Sequence, residues 1–428
     1  MNKIIVIGAG PGGMMAAVKA AENGAEVLLL EKMNRVGKKM LITGKGRCNI
    51  TNAADVPEII RNITGNGRFL YSALQSFDNQ DVMRFFQEHG VEIKVERGQR
   101  VFPVSDKAQD AVDAMYMYLH ELGVKIRTEA RVRDILTAEG HAAGVRLMDG
   151  EILSASAVIL ATGGASYPGT GSTGDGYAMA EALGHTIVPL RPSLVPLETE
   201  EDWPLAAQGL SLRNVRVQLL ADGQKIAEEF GEIMFTHFGV TGPLILPLSR
   251  PAAPALADGS MVELSINLKP ALTPEQLDAR LQRDFLRYQR KQLKNALHDL
   301  LPSKLIEPVL DLSYLDPDAF VHQTSKEQRL RLAEVLQHMV LTVSRTRPLA
   351  EAIVTAGGIA TREINPKTME SKKVPGLYLV GEVVDVDAFT GGYNLQAAFS
   401  MGAAAGCWGA WQAEPASHAY KRVARLWY

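Results

Sequence analysis

Three glycines near the start of the chain have the spacing of an anion-binding loop. Gly8, Gly10 and Gly13, with Pro11 and Gly12 between them, spell G-x-G-x-x-G. In such a loop the first glycine permits a tight turn. The second, lacking a Cβ, lets a pyrophosphate reach the backbone. The third lets a helix pack against a strand. Further along, Glu31 is an acid able to accept hydrogen bonds from a pair of ribose hydroxyls. These residues act together only if the right elements hold them. Ile4 to Ile7 is a short apolar run that reads as a buried strand. Met14 to Ala21 is Ala-rich and reads as a helix, which Gly24 ends. Val27 to Leu30 reads as a second strand, ending on Glu31 and Lys32. The result is a β-α-β unit whose helix N-terminus, with free N–H groups and a positive dipole end, favours phosphate. The alternative is a glycine-rich turn that merely packs.

Two more stretches suit the same ligand. Residues 33–52 are rich in glycine, basic and small polar residues, with Lys39, Gly46, Arg47, Cys48 and Asn49 as candidates. They fit a loop wrapped around an anionic cofactor, with Lys39 and Arg47 near phosphate or an electron-rich ring; a solvated basic loop is the alternative. Far downstream, Gly376 to Glu382 reads as a strand ending in Gly381 and an acid, then Val383 to Ala398 turns through Gly392 into a small-residue helix. Glu382 can hold a ribityl chain. The helix start brings N–H groups to the pyrimidine edge of an isoalloxazine, where its dipole favours the negative charge of reduction. NAD needs no such second constellation, so the pair points to FAD.

Between these ends, Ala157 to Leu160 reads as a strand returning to the same sheet, followed by Ala161, Thr162, Gly163 and Gly164. Soon after, Gly169 to Gly174 repeats G-x-G-x-x-G. A second dinucleotide site for NAD(P)H is one reading. Eight residues, Pro168 among them, separate it from the preceding strand, and the next strand candidate, His185 to Leu190, ends on Arg191 rather than an acid, although an arginine suits a 2′-phosphate. The other reading is a loop that lies, with Asp175, over the flavin and substrate pocket.

The chain has 428 residues, a formal net charge of −3, and 46% hydrophobic and 22% charged residues. Such a length suggests roughly three domain-sized units. The charge gives no global pull toward nucleic acid or an anionic membrane. Cys48 and Cys407 form no C-x-x-C pair, which argues against a dithiol centre or disulfide framework. No apolar run approaches the ~18 residues of a membrane span, and the start is too short and glycine-broken for a signal peptide. A cytoplasmic enzyme is expected, with no membrane, metal or nucleic-acid partner.

The domain plan is discontinuous. Residues 1–190 and 341–428 read as an α/β flavin domain, with a β-meander near 131–154. Residues 191–271 read as a β-rich insert, and 272–340 as a small helical subdomain. In the insert, His237 sits in a polar, glycine-bounded loop and is a candidate for proton transfer or an ordinary hydrogen-bonded loop residue. In the helical part, Arg280, Arg283, Arg287, Arg290 and Lys291 could face RNA. A solvated face is the expected role, because Asp278 and Asp284 interrupt the run and no aromatic platform accompanies it.

These motifs together resemble a known family, the BaiN-like or YhiN-type FAD-dependent oxidoreductases. The matching pieces are the glycine loop with Glu31 and Lys32, GKKMLITGKGRCNITN from Gly37, ATGGASYPGTGSTGDGY from Ala161, FTHFGVTGP from Phe235, and PGLYLVGEVVDVDAFTGGYNLQAAFSMG from Pro375. The resemblance spans nearly the whole chain. It implies FAD in a Rossmann-type, glutathione-reductase-like domain split by an insert. It implies cofactor contacts from Gly8, Gly10, Gly12, Gly13, Glu31 and Lys32 at the AMP end, then Arg47, Cys48, Asn49, Thr162 and Gly163. Glu382, Asn394, Leu395 and Gln396 follow at the flavin. Val132 would meet the adenine through its backbone. Cys48 is either a reactive thiol or, as expected here, a small packed residue.

The expected activity is hydride transfer through flavin N5, with NADH or NADPH as a possible transient donor and a small or hydrophobic substrate. Alternatives are a fumarate-reductase-like dehydrogenase of a small acid, from the loop at 171–177, and a flavin-containing RNA-modification or RNA-binding protein. His237, Tyr393 and Asp387 are the candidates for proton chemistry.

Overall fold

A computed structural model describes residues 2–412 of the chain. It divides into two units, one formed by residues 2–191 and 353–412, the other by Pro192–Ala352.

In the first unit, five parallel strands form one sheet: β1 (Lys3–Ile7), β2 (Glu26–Leu30), β3 (Lys125–Arg127), β4 (Ala157–Leu160) and β5 (Leu377–Leu379), in the order β5-β4-β1-β2-β3. The register sets Ile4 opposite both Val27 and Ala157. Burial of Ile4, Ile5 and Val6 on both faces explains why β1 is a continuous apolar run rather than an alternating one. The helix α1 (Pro11–Glu22) follows the glycine loop, and α2 (Tyr393–Gln412) packs along it. The approach is backbone-close: a Cβ on Gly402 would lie 2.3 Å from Gly12 O, and one on Gly406 2.3 Å from Ala16 O. The meander appears as Val132–Ala138, His141–Leu147 and Ile152–Ser154, all antiparallel.

Pro192–Ala352 holds a closed six-stranded barrel. Its strands run in the order Leu197–Thr199, Gly239–Thr241, Gln224–Thr236, Ser211–Ala221, Val262–Asn267 and Met339–Thr346. Residues 341–346, read from sequence as part of the return to the flavin domain, belong to the strand Met339–Thr346, which pairs with Val262–Asn267 and Leu197–Thr199 and closes the barrel. The helices Pro274–Arg287, Ser303–Leu312 and Lys326–Gln337 contribute Leu277, Leu281, Leu305, Val309, Leu332 and Leu336 to the same core. The first and last of the three open with a full capping box, on Thr273 with Gln276 and on Ser325 with Gln328.

Candidate cofactor site

The glycine loop divides its labour as its spacing demands. A Cβ on Gly8, whose φ is +101°, would lie 2.5 Å from Ala161 O, and one on Gly13 would lie 1.9 Å from Gly8 O. Both glycines are needed for packing alone. Gly10 differs: a Cβ there would meet nothing within 4 Å. That open space lies beside the start of α1, which has no side-chain cap on its first N–H groups. The loop therefore leaves room where an anion would bind and none elsewhere.

The Glu31 carboxylate is held across this loop. One oxygen accepts from Ala9 N at 2.8 Å and the other from Met33 N at 2.8 Å. Each oxygen keeps lone pairs for a ribose hydroxyl. Backbone bonds from Ala130 N to Glu31 O and from Glu129 N to Met33 O lay the chain leading to Val132 alongside.

Lys32 is turned elsewhere. Its ammonium donates to Thr173 Oγ1 and to Asp175 Oδ2, and Arg131 also reaches Asp175. Burial acts to raise the Asp175 carboxyl, but hydrogen bonds from Thr173 and Lys32 outweigh it and hold it below the usual carboxylate range. The second glycine motif thus folds onto the segment that carries Glu31. A Cβ on Gly171 would lie 2.9 Å from the Met33 side chain. The same loop also lies against the A-T-G-G turn, where a Cβ on Gly163 would lie 3.0 Å from Ser172 Oγ.

A second cluster joins both ends of the chain. Lys39 lies in the short helix Lys38–Ile42, just past Gly37, whose N–H donates to Ala9 O at 2.9 Å and so ties this helix to the glycine loop. Its ammonium donates to Glu382 Oε2 at 2.6 Å and to Ser166 Oγ at 2.8 Å. Glu382 Oε1 accepts from Thr355 N at 2.8 Å and from Ser166 at 3.1 Å. Gly164 packs directly on this carboxylate; a Cβ there would lie 2.7 Å from Glu382 Oε1. Sequence reasoning named Lys39, Gly164 and Glu382 but missed Ser166 and Thr355. Their positions beside the A-T-G-G and T-A-G-G turns were the available signal.

The segment from Gly46 to Asn49 is divided. Arg47 stacks 4.1 Å over the Phe102 ring and pairs with Glu96 and Asp106, so its charge is met by protein. Cys48, with φ +59°, is fully buried, and burial pushes its thiol up to about 12. It is a packed residue. Asn49 is different: its Oδ1 is buried with no hydrogen-bond partner, and the same holds for Thr162 Oγ1. Two buried polar atoms without partners, together with the open face of Gly10, fit a site completed by a polar ligand.

At the start of α2, side chains serve the protein. Asn394 accepts from Ala388 N at 3.0 Å and donates to Ala388 O at 2.8 Å, fixing its own loop. Gln396 is fully buried among Thr51, Ser400 and Phe77 O. Leu395 packs against the core. A Cβ on Gly392 would lie 2.3 Å from the Thr51 carbonyl carbon. What this turn offers a ring is backbone N–H, not side chains. Of the proton-transfer candidates, Tyr393 and Asp387 are buried in this unit; burial raises the Tyr393 hydroxyl, so it stays protonated. His237 lies in the barrel unit, edge-on to Phe238 at 4.9 Å.

Comparison with known proteins decides the family. The HI0933-like protein Rossmann domain matches residues 2–408. The chain belongs to this family. Its relatives include the 3-dehydro-bile acid delta(4,6)-reductase of Clostridium scindens, 34% identical over 95% of this chain and 98% of the relative. The ribosomal RNA dihydrouridine synthase of Escherichia coli is 32% identical over 92% of this chain and 95% of its own length. Among solved structures, the fold resembles 3-ketosteroid delta1-dehydrogenase from Sterolibacterium denitrificans, with TM-score 0.52 and 13% identity over 96% of this chain and 100% of that one. It also resembles E. coli quinol fumarate reductase FrdA, with TM-score 0.50 and 17% identity over 100% of this chain and 74% of that one. This HI0933-like chain is a flavin-dependent oxidoreductase. No helix among the described residues is long and apolar enough to cross a membrane.

Proposed function

We propose that this enzyme saturates a carbon–carbon double bond conjugated to a carbonyl group. One observation carries the reading: two relatives matched over more than nine-tenths of both chains are named for this kind of reduction on unrelated molecules. One acts at the delta(4,6) positions of a 3-dehydro bile acid; the other makes dihydrouridine in ribosomal RNA. In each product a bond polarised by a carbonyl has gained hydrogen. FAD, when bound, supplies hydride equivalents at N5.

The chain's own groups have binding and orienting roles. Gly10 and the start of α1 would hold the pyrophosphate, and Glu31 the ribose. Lys39 and Glu382 lock the loops on either side. The N-terminal N–H groups of α2 would favour negative charge on the pyrimidine edge. NADH or NADPH is the proposed electron source. Anaerobic reduction by each, followed by oxidation with a steroid enone or a uridine-containing RNA, tests the reading. Flavin reoxidation with loss of enone absorbance, or formation of dihydrouridine, is expected. A reduced enzyme that neither substrate reoxidises removes the reading.

Within this class, a base carried on RNA is a second reading, favoured by the dihydrouridine synthase match. A dehydrogenase of a small acid has less support, since Thr173 and Asp175 of the loop that suggested it are engaged by Lys32 and Arg131.

A further inference from the structure

The barrel unit carries an open cavity of about 530 Å3 lined by Arg290, Lys291, Gln292, Asn295, His298 and Phe320. The arginine and lysine are exposed, and Phe320 leaves 43% of its surface in solvent. Three neighbouring cations are paired: Arg280 with Asp284, Arg287 with Asp299, and Lys294 with Asp318. Arg290 and Lys291 make no direct ion pair among the described residues, although Lys291 helps to lower the Asp299 carboxyl. Lys291 lies 4.5 Å over the ring of Tyr288.

The cavity is held open by backbone. Leu293 N donates to Ala319 O at 2.9 Å, and Val321 N to Lys291 O at 3.0 Å. His322 N donates to Gln289 O at 3.3 Å. These bonds lace residues 289–294 to 317–322, so Phe320 is fixed beside the two cations. Asp278 and Asp284, which interrupt the basic run, are paired with Arg329 and Arg280, and Phe320 supplies from outside the run the aromatic platform that it lacks.

A plain anion site needs no exposed aromatic face, and an apolar-ligand site needs no unpaired cations. The combination of both with amide side chains matches single-stranded nucleic acid. Cations take the phosphodiester, the ring stacks a base, and amides reach base edges. We infer that the Arg290–Lys291–Phe320 cavity is a docking site for a single-stranded segment of RNA. The inference rests on the reading in which the reducible base is carried on RNA.

The test uses the full-length flavoprotein and a fluorescein-labelled, uridine-rich single-stranded RNA oligonucleotide, followed by anisotropy. Phe320→Ala weakens binding by about tenfold, as expected for one stacked base, and Phe320→Tyr restores it. The double variant Arg290→Ala with Lys291→Ala weakens binding and flattens the logarithmic salt dependence by roughly 0.7 for each phosphate that is no longer neutralised. An unchanged far-ultraviolet circular dichroism spectrum and thermal midpoint show that the varied unit is folded. If the parent protein binds RNA and these variants bind equally well, the cavity assignment is overturned while the RNA reading stands. If the parent protein does not bind RNA, both fall.

Discussion

Lys39 and Glu382 meet at 2.6 Å, although 343 residues of chain separate them. The pair is only about one-fifth exposed on either side, and Ser166 and Thr355 complete the carboxylate's partners. It joins the short helix after the first β-α-β unit to the segment that leads into α2. Glu382→Gln keeps the shape but removes the charge that Lys39 meets. A half-buried charged hydrogen bond lost in this way costs about 1–3 kcal/mol. For a unit of this size that corresponds to a fall of roughly 2–12 °C in the flavin-release midpoint on heating. An unshifted midpoint would show that the ion pair does not hold the two loops.

Gly10 and Gly13 separate binding from folding. A methyl group on Gly10 has space and an ordinary backbone conformation, with φ −82°. Gly10→Ala therefore leaves the thermal midpoint of the flavin-free protein unchanged while FAD affinity falls at least tenfold. Gly13→Ala, driven into Gly8 O, loses soluble, folded protein. Calorimetry of the flavin-free proteins and flavin fluorescence titration read the two effects separately. Equal FAD affinity in Gly10→Ala would place the phosphates elsewhere.

Cys48 should not react in the folded protein. With the thiol at about 12, only about one part in ten thousand is thiolate at pH 8. Iodoacetamide followed by peptide mass spectrometry is expected to leave Cys48 unlabelled until denaturant is added. Rapid labelling of the native protein at this position would restore the reactive-thiol reading.

Acid should loosen the first unit in two stages. Burial would raise Glu363, but the Thr186 N–H and the Lys373 ammonium overcome it and hold the carboxyl at about 2, against an ordinary value of 4.5. A folded-state value below the unfolded one gives stability that is present above about 4.5 and lost as pH falls toward 2. Its neighbour His185 bonds Glu363 at 3.1 Å and Ser371 at 2.9 Å, and burial lowers its pKa. Protonation of that imidazole therefore favours unfolding as pH drops below its ordinary 6.5. Urea midpoints measured against pH should decline on both steps, and Glu363→Gln should flatten the lower one. A midpoint constant from pH 7 to pH 3 contradicts the assignment.

The parts of this protein legible in its sequence are those governed by local chemistry. Ile4 to Glu31 declares strand, turn, helix, strand and acid because each depends on neighbours a few residues away. The capped helices at Thr273 and Ser325 are legible for the same reason. Barrel closure was not, because the partners of Met339–Thr346 lie far away in the chain and alternation of residue types does not name them. Ile245–Ala257 was also hidden: it is helical despite Pro251 and Pro254, its inner face secured by buried Leu248 and Ala252. Arg47 illustrates a third limit. A basic residue in a glycine-rich loop suggests phosphate until Glu96, Asp106 and Phe102 are seen around it.

The close seating of α2 on α1 sets an order of events during synthesis. The small-residue face of α1 that receives Gly402 and Gly406 emerges from the ribosome early and stays uncovered until residues 393–412 have followed. The intervening barrel has its own core and can fold during that wait. A chain that ends before residue 393 lacks the helix on which the backbone of Gly12 and Ala16 is seated, so the glycine loop then has no backing.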